Sequence, residues 1–212
     1  MTYKKALSSR NLRESPMMVR NQFASHSTLQ MPIIKRNALD LSGFSLISCD
    51  HVKITAPKED QYKTVHFFAD DNKLNRYYDN PMNYVKRLAQ YRAVMTPDFS
   101  LYPEMPFPLQ LFNVFRNRWC GAYWQEFGLT VIPTISWSDR ESFTFCFSGI
   151  EAGSTVAVST VGSRHNKTEF LEGFFAMTKA IHPFKIICLG TPFEEIQHDV
   201  TFIDYTKIRK GQ

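Results

Sequence analysis

Three short segments end in side chains that could carry chemistry: VHFFADD closes on Asp70 and Asp71, TPDFS carries Asp98 and Ser100, and PTISW ends in Ser136 and Trp137. Neighbouring carboxylates can divide the work of acid and base when their surroundings separate their pKa values. Asp70, Asp71 and Asp98 are therefore candidate catalytic residues, with Asp70 and Asp98 the natural pair. The same two acids could instead hold a hard divalent ion such as Mg²⁺, which prefers carboxylate oxygens and water. Trp137 offers a face on which a base or sugar could stack, and Ser100 and Ser136 offer hydrogen bonds to a substrate.

Two further stretches add candidates for substrate binding. STVGSRHNK puts Thr160 and Arg164 in a glycine-containing turn that leads into a helix, where backbone N–H groups and nearby cations could meet phosphate. It matches neither the P-loop nor a dinucleotide fingerprint, and an exposed basic turn is the competing reading. FRNRWCGAYWQEFG contributes Arg116 and Glu126. On a helix Arg116 and Arg118 point roughly 200° apart, so one is expected to pair with an acid and the other to meet solvent. Phe112, Phe115, Trp119 and Tyr123 recur at steps of three and four, the stripe of a helix packed on a sheet. Gly121 inside that helix costs roughly 1 kcal/mol relative to alanine, which a close contact or a kink would explain.

The elements that must position these groups alternate along the chain. From residue 63 onward, β-rich runs (TVHFFAD, AVMTPDFS, LTVIPTISW, STVAVSTVG, FKIICLG, VTFIDY) alternate with helical ones (NPMNYVKRLAQY, FPLQLFNVFRNRWCGAYWQEFG, SDRESFTFCFSG, HNKTEFLEGFFAMTKAIH). This rhythm predicts an α/β fold with a mainly parallel sheet and flanking helices, either a compact or incomplete (β/α) barrel or an open doubly wound sheet. Such folds bind ligands beyond the carboxyl ends of their strands, where the candidate residues fall. Asn80 before Pro81, Ser138 with Glu141 and Asn166 with Glu169 read as helix starts, and Gly128 and Gly149 as left-handed C-terminal caps. Upstream, MPIIKR and FSLIS are two more strand candidates, an edge hairpin or the beginning of a barrel.

Charge is unevenly spread. Seven cations oppose only Glu14 in the first 36 residues, although the whole chain carries a net +5, so the remainder is near neutral. We read residues 1–20 as a basic arm and 21–212 as one α/β domain; clustered cations could touch nucleic acid by releasing condensed counterions, or form a solvated terminus. Cys49, Cys120, Cys146 and Cys188 lack the close spacing of zinc or redox sites and read as reduced structural thiols. No apolar run approaches membrane-spanning length and the first residues lack the apolar centre of a secretory signal, so the expected setting is the cytoplasm, without membrane contact. Gly-x-Ser-x-Gly, His-Glu-x-x-His and catalytic-cysteine patterns are missing, which removes support for familiar hydrolase and protease classes.

VHFFADD, TPDFSLY, FRNRWCGAYWQEFGLTVIPTISWSD and VAVSTVGSR, spread over about residues 20–190, resemble a bacterial and phage family known as a domain of unknown function. The resemblance implies an association with phages and other mobile elements and brings no assigned activity. The resulting expectation is a phage or mobile-element protein acting on a nucleotide or nucleic acid through an acidic and aromatic pocket, with metal-dependent phosphodiester chemistry as one form. A non-catalytic protein that occupies a host factor and a carbohydrate-active hydrolase are the alternatives.

Overall fold

Short β-branched runs buried on both faces are what a parallel sheet covered by helices requires. Thr64–His66, Ala93–Met95 and Thr155–Ser159 are buried almost throughout. In the computed structural model, which describes residues 8–25 and 27–206, these runs are strands of two parallel sheets. The first holds β1 (Leu46–Ser48), β2 (Thr64–His66), β3 (Ala93–Met95) and β4 (Val131–Ile132); the second holds β5 (Thr155–Ser159), β6 (Lys185–Leu189) and β7 (Thr201–Ile203). All pairings are parallel and the strands stand in chain order. A bridge between Thr134 and Ala157 connects the sheets, through hydrogen bonds from Ile135 N–H to Ala157 O (2.8 Å) and from Ala157 N–H to Pro133 O (2.9 Å).

The helices are α1 (Ser9–Arg13), α2 (Pro16–Val19), α3 (Asp71–Asp79), α4 (Met82–Leu88), α5 (Phe107–Glu126) and α6 (Lys167–Ile181). Just after β2, Phe67 stacks on Trp124 of α5 at 5.1 Å and meets the edge of Tyr77 of α3 at 4.8 Å. On the second sheet, Val156, Val158 and Ile186 pack with Phe170, Phe174 and Met177 of α6. Burying each such side chain contributes about 1.5–3 kcal/mol, which is how short strands with few ladder bonds are held in place.

The parallel α/β architecture agrees with the alternation in the sequence. A closed eightfold barrel is not formed: the described residues contain seven strands, and no ladder among them joins β7 to β1. FSLIS supplies β1, but MPIIKR is not its hairpin partner. Ile34 makes one bridge, to Ile150, while β1 pairs with β2. The helix expected over SDRESFTFCFSG is reduced to a single 3₁₀ turn, Ser142–Thr144, because Asp139 and Ser142 satisfy each other locally. The Asn80–Pro81 start shifts by one residue: Asn80 caps the end of α3, and Pro81 precedes α4. The glycines behave unequally, since Gly128 (φ +79°) follows the end of α5 as expected, whereas Gly149 (φ +75°) ends no helix.

The basic segment is partly built into the body. Lys4 and Lys5 lie outside the described residues, but Met17 packs against the core and Arg20 lies over Tyr78 (4.4 Å) and Trp119 (4.0 Å).

Gly121 lies where α5 passes close to Ile34 and Thr96. A Cβ there would come within 2.5 Å of Ile34 Cδ1 and 2.8 Å of Thr96 Cγ2, so contact rather than a kink accounts for the glycine. Gly121→Ala should lower stability in urea by about 1–3 kcal/mol through overpacking, despite the roughly 1 kcal/mol better helix propensity of alanine.

Candidate functional site

The ladders between β2, β3 and β4 stop just before the residues of interest, leaving carbonyls that something else must satisfy. Helix α5 does this with polar side chains on its buried face. Asn117 Nδ2 donates to Pro97 O (2.7 Å) and to Thr134 O (3.1 Å), tying the segments after β3 and β4 together. Arg118 continues the clamp with hydrogen bonds to Ser148 O (2.9 Å), Cys146 O (2.5 Å) and Asn117 Oδ1 (2.5 Å). It is 2% exposed, contrary to the expectation that one of the two arginines meets solvent. Burial lowers its pKa to about 10, where it still holds its charge at neutral pH.

With these segments fixed, Asp98 lies next to the end of β2, its N–H directed at Phe67 O (3.4 Å). The Ser136 side chain lies beside its carboxyl and acts to hold its pKa down, and Asp71 is its charged neighbour. Asp71 opens α3 and accepts from Ser100 N–H (3.1 Å) and Ser100 Oγ (2.9 Å). A ring of contacts returns to α3: Asn113 Nδ2 donates to Ser100 O (2.7 Å), and Arg116 donates to Asn113 Oδ1 (2.5 Å) and Asn75 Oδ1 (2.6 Å). The Arg116 guanidinium lies 3.8 Å above the Phe99 ring. Burial lowers its pKa while the nearby Asp71 raises it.

Weakly solvated surroundings penalise the charged form of a carboxyl group, and a neighbouring negative charge adds to the penalty. Burial, then repulsion from Asp71, raises Asp98 to about 7, and the Ser136 side chain works against the rise. Beneath them Phe99, Asn113, Asn117, Arg118 and Ser136 enclose a cavity of about 10 Å³, room for the centre of one water molecule. A larger ligand must therefore bind above it, where Asp71, Asp98, Ser100, Arg116 and Ser136 are each partly exposed.

Other candidates lie apart from this network. Asp70 is the exposed N-cap of α3 without a side-chain capping bond, and its charge acts on Lys73; the acid beside Asp98 is Asp71, not Asp70. Among the described residues no three His, Cys, Asp or Glu side chains gather as a metal site. Trp137 is a wedge against α6: its indole packs on Gly173, Phe170 (5.1 Å) and Phe147 (6.2 Å). Thr160 is buried and donates to Leu189 O and Thr191 O. Arg164 is exposed in the turn before α6, and Glu126 is exposed at the last residue of α5, about 13 Å along the helix from Asn117. The cysteines are free and buried, and burial raises all four thiols, Cys49 and Cys188 to about 11.

Asn75, Asn113 and Asn117 were not singled out in the sequence. For Asn113 and Asn117 the signal is the recurrence of amides with Gln110 at steps of three and four on α5, a row of polar groups that needs partners when buried.

The raised Asp98 has a consequence for stability. Its folded pKa, about 7, exceeds the ordinary 3.8, so the stability it contributes is full below the unfolded value and is lost as pH rises through the folded one, on the order of 4 kcal/mol in all. His66, held near 4 by burial, gives a slope of the opposite sign. The difference between the native chain and Asp98→Asn isolates the first effect. In urea titrations the variant should gain stability relative to the native protein between pH 4 and pH 8.

Comparison with known proteins fits this arrangement into a family. A 105-residue stretch is 49% identical to the Gene 1 protein of Mycobacterium phage L5, covering 50% of this chain and 46% of that protein. A 156-residue stretch is 36% identical to the Gene 1 protein of Mycobacterium phage D29, covering 71% and 55%. The chain thus spans about half the length of the curated relatives it matches. No solved structure matches it. The profile of the domain of unknown function DUF4417 matches residues 23–206, and the chain belongs to that family.

Proposed function

We propose that this chain is a phage hydrolase that acts on a nucleotide or nucleic acid by general acid–base catalysis. The observation that carries the reading is the meeting of Asp71, Asp98 and Ser136 beyond the ends of neighbouring strands, with Asp98 partly withdrawn from solvent and Asp71 held by Ser100. Asp98 gives its proton to the leaving oxygen as that bond breaks, and Asp71 takes a proton from the water whose oxygen forms the new bond. Ser136 orients the donor. Arg116, fixed between Asn75 and Asn113, puts a positive charge beside the pair. The cation excess in the first 36 residues and the phage origin of the relatives favour a nucleic-acid substrate over a neutral sugar. Two carboxylates and two hydroxyls suffice for proton transfer, one carboxyl serving as the acid and the other as the base.

A second reading, a non-catalytic protein that binds a host factor, draws on an apolar groove of about 220 Å³ between Leu29, Met31 and the start of α5, where Phe112 is 44% exposed.

The catalytic reading is tested on a panel of single- and double-stranded DNA, RNA, nucleotides and oligosaccharides, each with and without EDTA. Asp98→Asn should lower kcat at least 100-fold with an undiminished melting temperature, and native activity should fall above pH 7 as the donor loses its proton. Turnover of every native substrate at an unaltered rate by Asp98→Asn would sink the assignment. Loss of activity in EDTA would replace proton transfer with metal chemistry, and turnover confined to oligosaccharides would move the substrate class.

A further inference from the structure

The turn after β1 and the face of α3 turned toward it hold more hydrogen-bond donors than acceptors. Asp50 accepts from Lys73 Nζ (2.9 Å) and from Arg76 Nη2 (3.3 Å), and both cations are more than two-fifths exposed. Arg76 Nε is buried without a partner, and so is Nε2 of His66. His66 stands opposite Ser48 in the β1–β2 register and feels the charges of His51 and Asp50. Its Nδ1 accepts the Phe68 N–H at 3.4 Å; the neutral ring then carries its proton on Nε2 and is a donor there. His66 is 2% exposed, and that burial keeps the ring neutral.

Lys73 and Arg76 share Asp50, with Asp70 also acting on Lys73, and two buried donors, Arg76 Nε and His66 Nε2, are left unmade, each a destabilising deficit. A group with several anionic oxygens would relieve both. A monatomic anion would not, because it cannot replace what Asp50 gives to Lys73 and Arg76 and also reach His66. Asp50 in turn holds the two cations side by side. On α3, Asp71 and Asn75 are four residues apart and turned to Ser100 and Arg116, while Lys73 and Arg76 occupy the face toward Asp50. A substrate lying over the first turn of α3 would then span from one set to the other, about one helix diameter, on the order of 10 Å.

We infer that Lys73, Arg76 and His66, arranged by Asp50, form a phosphate-binding subsite. The inference rests on the nucleotide reading and adds where a phosphate of that substrate is held.

The full chain, with ¹⁵N-labelled histidine rings followed by NMR at pH 7, is titrated with inorganic phosphate and, separately, with sodium chloride at matched ionic strength. The expected result is a saturable shift of the His66 ring signals with phosphate alone, weakened at least tenfold in Lys73→Ala and in Arg76→Gln. Asp98→Asn should keep the phosphate response, so that failure of the acid–base reading and failure of the subsite are separate outcomes. Equal shifts with chloride, or undiminished phosphate affinity in Lys73→Ala, overturn the subsite. Should Arg76→Gln not fold, since Arg76 lies against the Tyr77 and Tyr84 rings, the exposed Lys73→Ala decides the matter.

Discussion

The amide of Asn117 ties together the segments that leave the carboxyl ends of β3 and β4. Carbonyls at the ends of short parallel strands lose their ladder partners before the chain reaches solvent, and an unsatisfied buried carbonyl costs about 1–3 kcal/mol. Asn117 answers two of them, Pro97 O and Thr134 O, with one NH₂ group. Its own oxygen accepts from Arg118, whose other donors reach Cys146 O and Ser148 O. Three segments distant in the chain are thus referred to one helix. Asp98 follows the first of these carbonyls by one residue and Ser136 follows the second by two, so their separation is set by a buried amide rather than by the sheet.

The electrostatics of the site follow from the same anchoring. Asp98 is drawn into a weakly solvated place where its charged form is penalised, with Asp71 near enough to add repulsion. Asp71 sits at a helix start, where Ser100 offers two donors and Arg116 lies close. Arg118 is a buried cation whose hydrogen-bond partners are neutral oxygens. Multiple charge-assisted bonds offset the desolvation cost of such a group. The polar residues inside α5 are therefore part of what keeps the strand ends where they are, as well as walls of the site.

Much of the architecture was legible in residue patterns. β-branched runs of the right length marked the strands, and Phe107–Glu126 and Lys167–Ile181 were readable as helices from their apolar spacing. Helix α3 was passed over, although Leu74, Tyr77 and Tyr78 recur at helical steps, because Asp70, Asp71 and the asparagines around it imitate a loop. Within the site, Asp71, Asp98, Ser100, Arg116 and Ser136 do converge, whereas Asp70, Glu126, Thr160 and Arg164 lie outside the network. Trp137 shows why: a tryptophan beside polar strand-end residues has the composition of a binding platform, yet its surroundings depend on Gly173, 36 positions away. The polar residues that end VIPTISWSD likewise have separate destinations, Ser136 on Asp98 and Ser138 on Gln110.

Taken by itself, the order of residues determined the class of fold, the end of the sheet where chemistry could gather and the residue types available there. Periodicity is a local property, and burial of apolar side chains follows from it directly. Tertiary structure decided which acid faces Asp98, which arginine is sealed and which aromatic packs against a helix. Those outcomes depend on through-space distances and on the supply of water at each atom, and helix α5, lying across the strand ends, sets both.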